Sequence, residues 1–308
     1  AIYLDPDILV FDDMSFLFDM LATNYDVLIT PHICTISEID KDYSEVNHLY
    51  EGIYNFGFLA ISKSIVTLKL LTWWRLRLTQ YCYGDRSLNL HTDQAWGNYF
   101  PAFLGDKCKI LNHLGCNVAH WNISERKLTR ADCGKYMVND NCNLIFFHFS
   151  GFDYFGTSLT KRGGYEFSNL SKALQELAAD YRNILSLLDH DRLLNLRYSF
   201  EQLGSDKKFT LGLFQRRMIG NEEIFAKMTA SGIQDFLQSR KLADYHLVSP
   251  TGYNARVEGN FHTKIRYIKK ILKLLFKVIG VKNYSKMVRI FNYLGKETNH
   301  TFLFYDKK

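Results

Sequence analysis

Short apolar runs of strand length alternate with stretches of helical period through the first 165 residues, and that alternation restricts the chain to the α/β class. The runs are Ile2–Leu4, Val27–Thr30, Tyr54–Ile61 and Leu144–Phe149. Helices are expected over Met14–Leu21, Ser62–Cys82 and Asp93–Phe100, with Ser62 placed as an N-cap ahead of Ile65, Leu68, Trp73 and Leu76. Ligand loops in such folds gather at strand ends. After a break at Lys161-Arg162-Gly163-Gly164 the pattern becomes helical. Leu170, Leu174, Leu177, Tyr181, Ile184 and Leu188 recur at three- and four-residue steps, and another helix is expected over Asn221–Leu242, beyond an irregular stretch Arg197–Met218. Three parts result: an α/β body over 1–165, a mainly helical extension over 166–259, and a basic tail over 260–308.

The tail is set apart by charge. From Asn260 onward 12 Lys/Arg face two acids, whereas the preceding residues carry 26 basic and 30 acidic groups, so the overall +6 hides a mildly acidic body. Over His262–Ile279, Arg266, Lys269, Lys270, Lys273 and Lys277 share one helical face. Ile265, Ile268, Ile271, Leu272, Leu275 and Ile279 share the other. Such a helix either packs with a solvated outer face or lies on an anionic membrane surface. Nucleic acid is the weaker reading, since no binding module accompanies the charge. With 47% hydrophobic and 23% charged residues, disorder is excluded, and no apolar run reaches the ~20 residues of a spanning helix. None of the six cysteines is spaced C-x-x-C, which favours free thiols in a reducing, cytoplasmic setting.

Candidate chemistry is carried by short polar groups at strand ends. Asp5-Pro6-Asp7 places two carboxylates where they either form an acidic turn or converge on one divalent ion. His148, in Phe146-Phe147-His148-Phe149-Ser150-Gly151, is either a core histidine or the ligand that completes that ion's shell. Gly151 would let backbone approach a phosphate closely. Asp93-Gln94 opens an expected helix that Thr92 would cap; its N-terminus suits an anion, although polar capping alone explains the pattern. Asn55 and Gly57, inside an apolar strand, suit either a ligand approaching the backbone or a β-bulge. Asn117 and Trp121-Asn122 read equally as buried structural amides.

In this order the segments resemble a bacterial glycosyltransferase of the GT-A fold, similar to glycosyltransferase family eight. Tyr3-Leu4-Asp5-Pro6-Asp7 looks like the D-x-D strand, and Tyr54-Asn55-Phe56-Gly57-Phe58 is similar to the N-[SA]-G strand. Asp93-Gln94 with Asn98 resembles D-Q-x-x-x-N, and His148-Phe149-Ser150-Gly151 resembles H-x-x-G. The likeness covers about residues 1–160 and extends to bacterial proteins that share Thr30-Pro31-His32, Trp121-Asn122 and the H-F-S-G-F segment. It implies a Rossmann-like mixed sheet flanked by helices, with a helical C-terminal extension. It also implies that residues 1–165 are the C-terminal part of a catalytic domain. The K-P-W closing the family pattern is absent: Tyr154-Phe155-Gly156 stands there, with Lys161 the nearest lysine. The nucleotide-binding half that normally precedes the D-x-D strand has no counterpart in this chain, so an upstream or separate segment is expected to supply it.

The resemblance implies that Asp5, Asp7 and His148 hold Mn²⁺ or Mg²⁺ against a nucleotide-sugar donor. Asp93 and Gln94 would be catalytic, Asp93 on the sugar hydroxyls and Gln94 on the sugar's β face. Asn55, Gly57, Asn98, Gly151 and Asp153 would contact the donor. Retention of configuration is implied; an inverting enzyme would take Asp153 as base. The acceptor would be a glycan or a lipid-linked glycan, with the basic tail on the inner face of the membrane. Two other readings compete. One is a non-catalytic glycan- or partner-binding module on a degenerate transferase fold; the other is a metal-dependent hydrolase of phosphate esters or sugar nucleotides.

Overall fold

The computed structural model describes residues 1–36, 45–84, 88–196, 211, 213–221, 223–240, 242 and 261–295. The chain is mixed α/β and divides into two units, Ala1–Leu194 and Asn195–Lys308.

Two three-residue strands, β1 (Ile2–Leu4) and β2 (Ile8–Val10), begin the first unit and belong to different sheets. β1 pairs with β4 (Tyr54–Ile61), which pairs antiparallel with β3 (Val27–Pro31); β3 runs parallel to β5 (Cys108–Ile110). β2 pairs antiparallel with β10 (Phe146–His148), itself parallel to β6 (Val118–Ala119). A third sheet joins β7 (Leu128–Arg130), β8 (Tyr136–Val138) and β9 (Cys142–Asn143). The one flanked sheet expected from the sequence is therefore split among the described residues into sheets of four, three and three strands. Asp5-Pro6-Asp7 causes the first split. Ile8 N–H donates to Asp5 O at 3.0 Å, closing a β-turn with Pro6 at its second position, and the chain leaves one sheet for the next.

Residues of β3 alternate between two cores. Val27 and Ile29 join Leu59, Leu70 and Phe100 on one face, while Leu28 meets Leu17, Phe58 and Phe146 on the other. The β3–β4 register then shifts, Ile29 facing Leu59 but Thr30 facing Asn55, so β4 bulges around Gly57. Leu17 comes from α1 (Ser15–Thr23) and Leu70 from α3 (Ile65–Tyr81), with α2 (Glu45–Glu51) between them in the chain. α3 starts later than expected. Ser64 caps it, accepting Thr67 N–H at 3.1 Å, while Ser62 donates to Asp26 at 2.6 Å. At 94–99 the chain makes a 3₁₀ turn before the short helix α4 (Phe100–Leu104); Thr92, in a left-handed conformation at φ 45°, caps nothing. The anion-favouring α-helix N-terminus expected at Asp93 is thus not formed.

α5 (Lys172–Leu187), capped by Ser171, buries Leu174, Leu177, Ala178 and Tyr181 against Val118, Phe147 and Phe149 of the body. The Phe149 and Tyr181 rings stack with centroids 3.7 Å apart. Helical periodicity begins near the break at residue 165, yet this helix packs on the sheets, and the first unit closes only after α6 (His190–Leu194). In the second unit, Leu211, Met218, Phe225, Ile233, Leu237 and Leu242 cluster around α7 (Leu213–Asn221), α8 (Glu223–Ala226) and α9 (Ala230–Ser239). The single helix expected over Asn221–Leu242 is broken where Thr229 caps α9 through Gly232 N–H. Most of the stretch Arg197–Met218 lies outside the described residues, and its end is part of α7. α10 (Phe261–Leu294) continues past the expected end at Ile279, with a non-helical break at Gly280 (φ 70°, ψ 167°). No described helix is long and apolar enough to cross a membrane.

Candidate metal centre

The D-x-D turn is pinned at both ends. Asp5 N–H donates to Gly57 O in β4 at 2.8 Å, and Phe149 N–H, just past β10, donates to Asp7 O at 2.8 Å. Two carboxylates are thereby held over the end of β10 beside His148. Nε2 of His148 lies 3.1 Å from Asp7 Oδ1 and 3.8 Å from Asp5 Oδ2, and one ligand atom from each residue falls within 4.8 Å of the others. Ligands at right angles on an ion with ~2.1 Å bonds stand ~3 Å apart, so the spacing suits a shared cation.

The tautomer of His148 is fixed from behind. Asn55 Oδ1 accepts Gly57 N–H at 3.2 Å and Asn117 Nδ2 at 3.1 Å, which identifies it as the amide oxygen. His148 Nδ1, 3.2 Å from the same atom, must therefore donate to it. Nε2 is left facing two carboxylate groups, an arrangement that only a proton or a metal cation satisfies. The donor set of two carboxylates and one imidazole could hold a divalent cation, with Asn55 orienting the imidazole.

A cleft of about 430 Å³ surrounds the triad, with Tyr3, His32, Asp93, Trp121, Ser150 and Arg162 in its walls. Burial pushes the Asp7 carboxyl up, but the His148 hydrogen bond and charge, helped by Arg162, outweigh it and hold the group below its ordinary value. Tyr3 Oη donates to Asp5 at 2.7 Å, and this bond, with burial and the surrounding carboxylates, pushes the phenol up to about 12. Burial and then His48 bring His32 down to about 3, so it stays neutral; its Nδ1 donates to Ile53 O at 3.2 Å.

Other sequence-selected residues separate into neighbours of the triad and residues used elsewhere. Gly57 is needed by His148 itself: a Cβ there would stand 2.4 Å from the imidazole Cε1. Asp93 lines the cleft. Gln94 also reaches it, but its amide is committed, Oε1 accepting Phe56 N–H at 3.1 Å and Asn55 Nδ2 at 3.2 Å while Nε2 donates to Glu51 O at 2.9 Å. Asn98 accepts Ile53 N–H at 3.0 Å and does not line the cleft. Gly151 and Asp153 lie outside the cleft wall; Gly151 O accepts Lys161 N–H at 2.8 Å, and the Asp153 carboxyl packs over Gly156.

Tyr3, His32 and Arg162 line the cleft but were not selected as site residues from the sequence, although Tyr3 and His32 stand in segments that carry the resemblance. Tyr3 stands two residues before Asp5, and Arg162 follows Lys161, the lysine nearest the absent K-P-W. Thr30-Pro31-His32 and Trp121-Asn122 prove to be one junction: Asn122 Nδ2 donates to His32 O at 2.9 Å and to Asn117 O at 3.0 Å.

Among known proteins, YfnF of Bacillus subtilis strain 168, an uncharacterized protein, is 27% identical over 150 residues, which is 49% of this chain and 48% of YfnF. YfnD of the same organism, also uncharacterized, is 30% identical over 104 residues, 33% of this chain and 32% of YfnD. The matches span about half the length of the first relative and a third of the second. No family model matches the sequence, and no solved structure matches the chain.

Proposed function

We propose that the cleft binds a nucleotide-sugar together with a divalent cation and serves a glycosyltransferase that passes the sugar to a glycan or lipid-linked acceptor. The observation that carries this reading is the convergence of His148 Nε2 with Asp5 and Asp7, the imidazole being held in place by Asn55 Oδ1 at its Nδ1. Asp5, Asp7 and His148 would hold Mn²⁺ or Mg²⁺, which when bound stabilises the negative charge of a leaving diphosphate. Arg162, whose Nη2 donates to Ser150 Oγ at 3.3 Å, presents an exposed guanidinium in the same cleft, a second positive charge for phosphate oxygens. Asp93 accepts hydrogen bonds from sugar hydroxyls and orients the donor. Gln94 acts as a positioning residue, tying the 3₁₀ turn to β4. Tyr3, kept protonated, donates and does not serve as a base.

With Asp153 outside the cleft wall, the inverting reading loses its chosen base, and retention is the stereochemistry we assign. The GT-A-like arrangement belongs to this same reading. Incubation with labelled nucleotide-sugars, Mn²⁺ and glycan acceptors tests it. Transfer with retention that is lost in Asp7→Asn supports it. Release of free sugar alone identifies a hydrolase. Stoichiometric donor binding without turnover identifies a binding module.

A further inference from the structure

α10 presents two opposed arcs. Arg266, Lys269, Lys270, Lys273 and Lys277 fall on one side of its first half, and Phe261–Leu294 contains no Asp or Glu to neutralise them. On the other side Leu272, Leu275 and Ile279 are half-buried. The flank of that apolar arc is open: Ile271 is 59%, Leu274 64% and Val278 75% exposed. After the break at Gly280 the second half repeats the pattern, with Lys282, Lys286 and Arg289 together and Val288, Phe291 and Leu294 exposed on another side. Phe276 and Tyr284 meet edge-on across the break, with ring centroids 5.3 Å apart. A helix packed into a protein core buries its whole apolar arc, whereas this one leaves the flank of that arc exposed.

We propose that α10 is an interfacial anchor that lies on an anionic lipid surface, its apolar flank in the acyl boundary and its lysines among the headgroups. This inference does not depend on the activity of the cleft. Three observations select the occupant. The uncompensated positive charge matches an anionic leaflet, each Lys or Arg near the surface adding to the attraction. The same charge disfavours a second copy of the chain, which would bring like charges together. An exposed apolar arc of this width has no use against a phosphate backbone but suits an acyl boundary. The helix lies on the bilayer and does not span it, because no 18-residue window of it is apolar enough to cross.

Co-sedimentation of the full chain with vesicles tests the proposal, using phosphatidylcholine alone and phosphatidylcholine with phosphatidylglycerol, at low and high salt. The wild type should pellet with the anionic vesicles only, and less at high salt. Combined Lys269→Gln, Lys270→Gln, Lys273→Gln and Lys277→Gln should weaken partitioning by about fivefold per neutralised lysine. Combined Ile271→Ser, Leu274→Ser and Val278→Ser should weaken it at least tenfold while leaving circular dichroism unchanged, since all three side chains are exposed. No pelleting of the wild type with anionic vesicles would overturn the proposal. So would a lysine effect with no apolar effect, the signature of a simple polyanion such as nucleic acid. An apolar effect on oligomeric state in place of partitioning would assign the face to a second copy and equally end it.

Discussion

Two polar clusters in the first unit differ in one respect that separates architecture from chemistry. At Glu125–Arg126 every strong group is matched inside the protein. The Glu125 carboxylate accepts Cys34 N–H, Thr35 N–H and the Thr35 hydroxyl and pairs with Arg126 Nε at 3.1 Å. Arg126, 1% exposed, also donates to Cys116 O at 2.7 Å. At Asp5, Asp7 and His148, by contrast, acceptors outnumber donors, and the backing amide directs the surplus into a cleft. A closed network explains itself by stability; an open one leaves ligand atoms to spare, which is why we propose a cation there.

Removing one member of the closed network should produce the largest effect. Arg126→Met leaves a buried carboxylate without its partner and should cost about 3–5 kcal/mol in urea denaturation. A loss under about 1 kcal/mol would erase the contrast between the clusters. Acid comes next. His32 and His120 are held neutral, burial bringing each from an ordinary 6.5 to about 3. Their depressed folded values mean that stability is fully present above pH 6.5 and is lost as pH falls from there toward 3, at roughly 1–2 kcal/mol per unit for each histidine. His32→Gln should flatten this slope in denaturation midpoints; an unchanged slope would place the loss elsewhere.

Gly57→Ala should disturb the open cluster selectively. A Cβ 2.4 Å from the His148 ring must displace it, and Mn²⁺ affinity should fall about tenfold or more, as for lost ligand orientation. Affinity equal to wild type would mean that the ring position does not matter. The smallest effect belongs to Asn98→Ala, about 1 kcal/mol of stability through the lost Ile53 hydrogen bond. Weaker donor binding at constant stability would instead restore Asn98 as a binding residue.

The α/β body and the meeting of Asp5, Asp7 and His148 were legible because both are written in local chemistry. Tyr54–Ile61 is apolar enough to be a strand covered on both faces and forms with those limits. Asp5, Asp7 and His148 are residue types with few reasons to meet. The division of the sheet was hidden, since it depends on which partner each three-residue strand finds. The backbone contacts of Gln94 and Asn98 were hidden for a related reason: an amide that binds a sugar and one that binds the backbone of β4 or Ile53 have the same sequence signature. Arg162 was missed because its place in the cleft is set by the return of the chain past Gly151, which no local pattern encodes. The packing of α5 on the body was likewise invisible, because helical period shows that a face is buried but not against what.

Titration of the full chain with Mn²⁺, followed by the free-ion electron paramagnetic resonance signal, tests the open cluster most directly. One ion bound per chain, with affinity reduced at least a hundredfold in both Asp7→Asn and His148→Gln while both variants remain folded, is the expected result. Absence of stoichiometric uptake, or uptake indifferent to both substitutions, would show that the imidazole is satisfied by a proton alone and would remove the metal from the account.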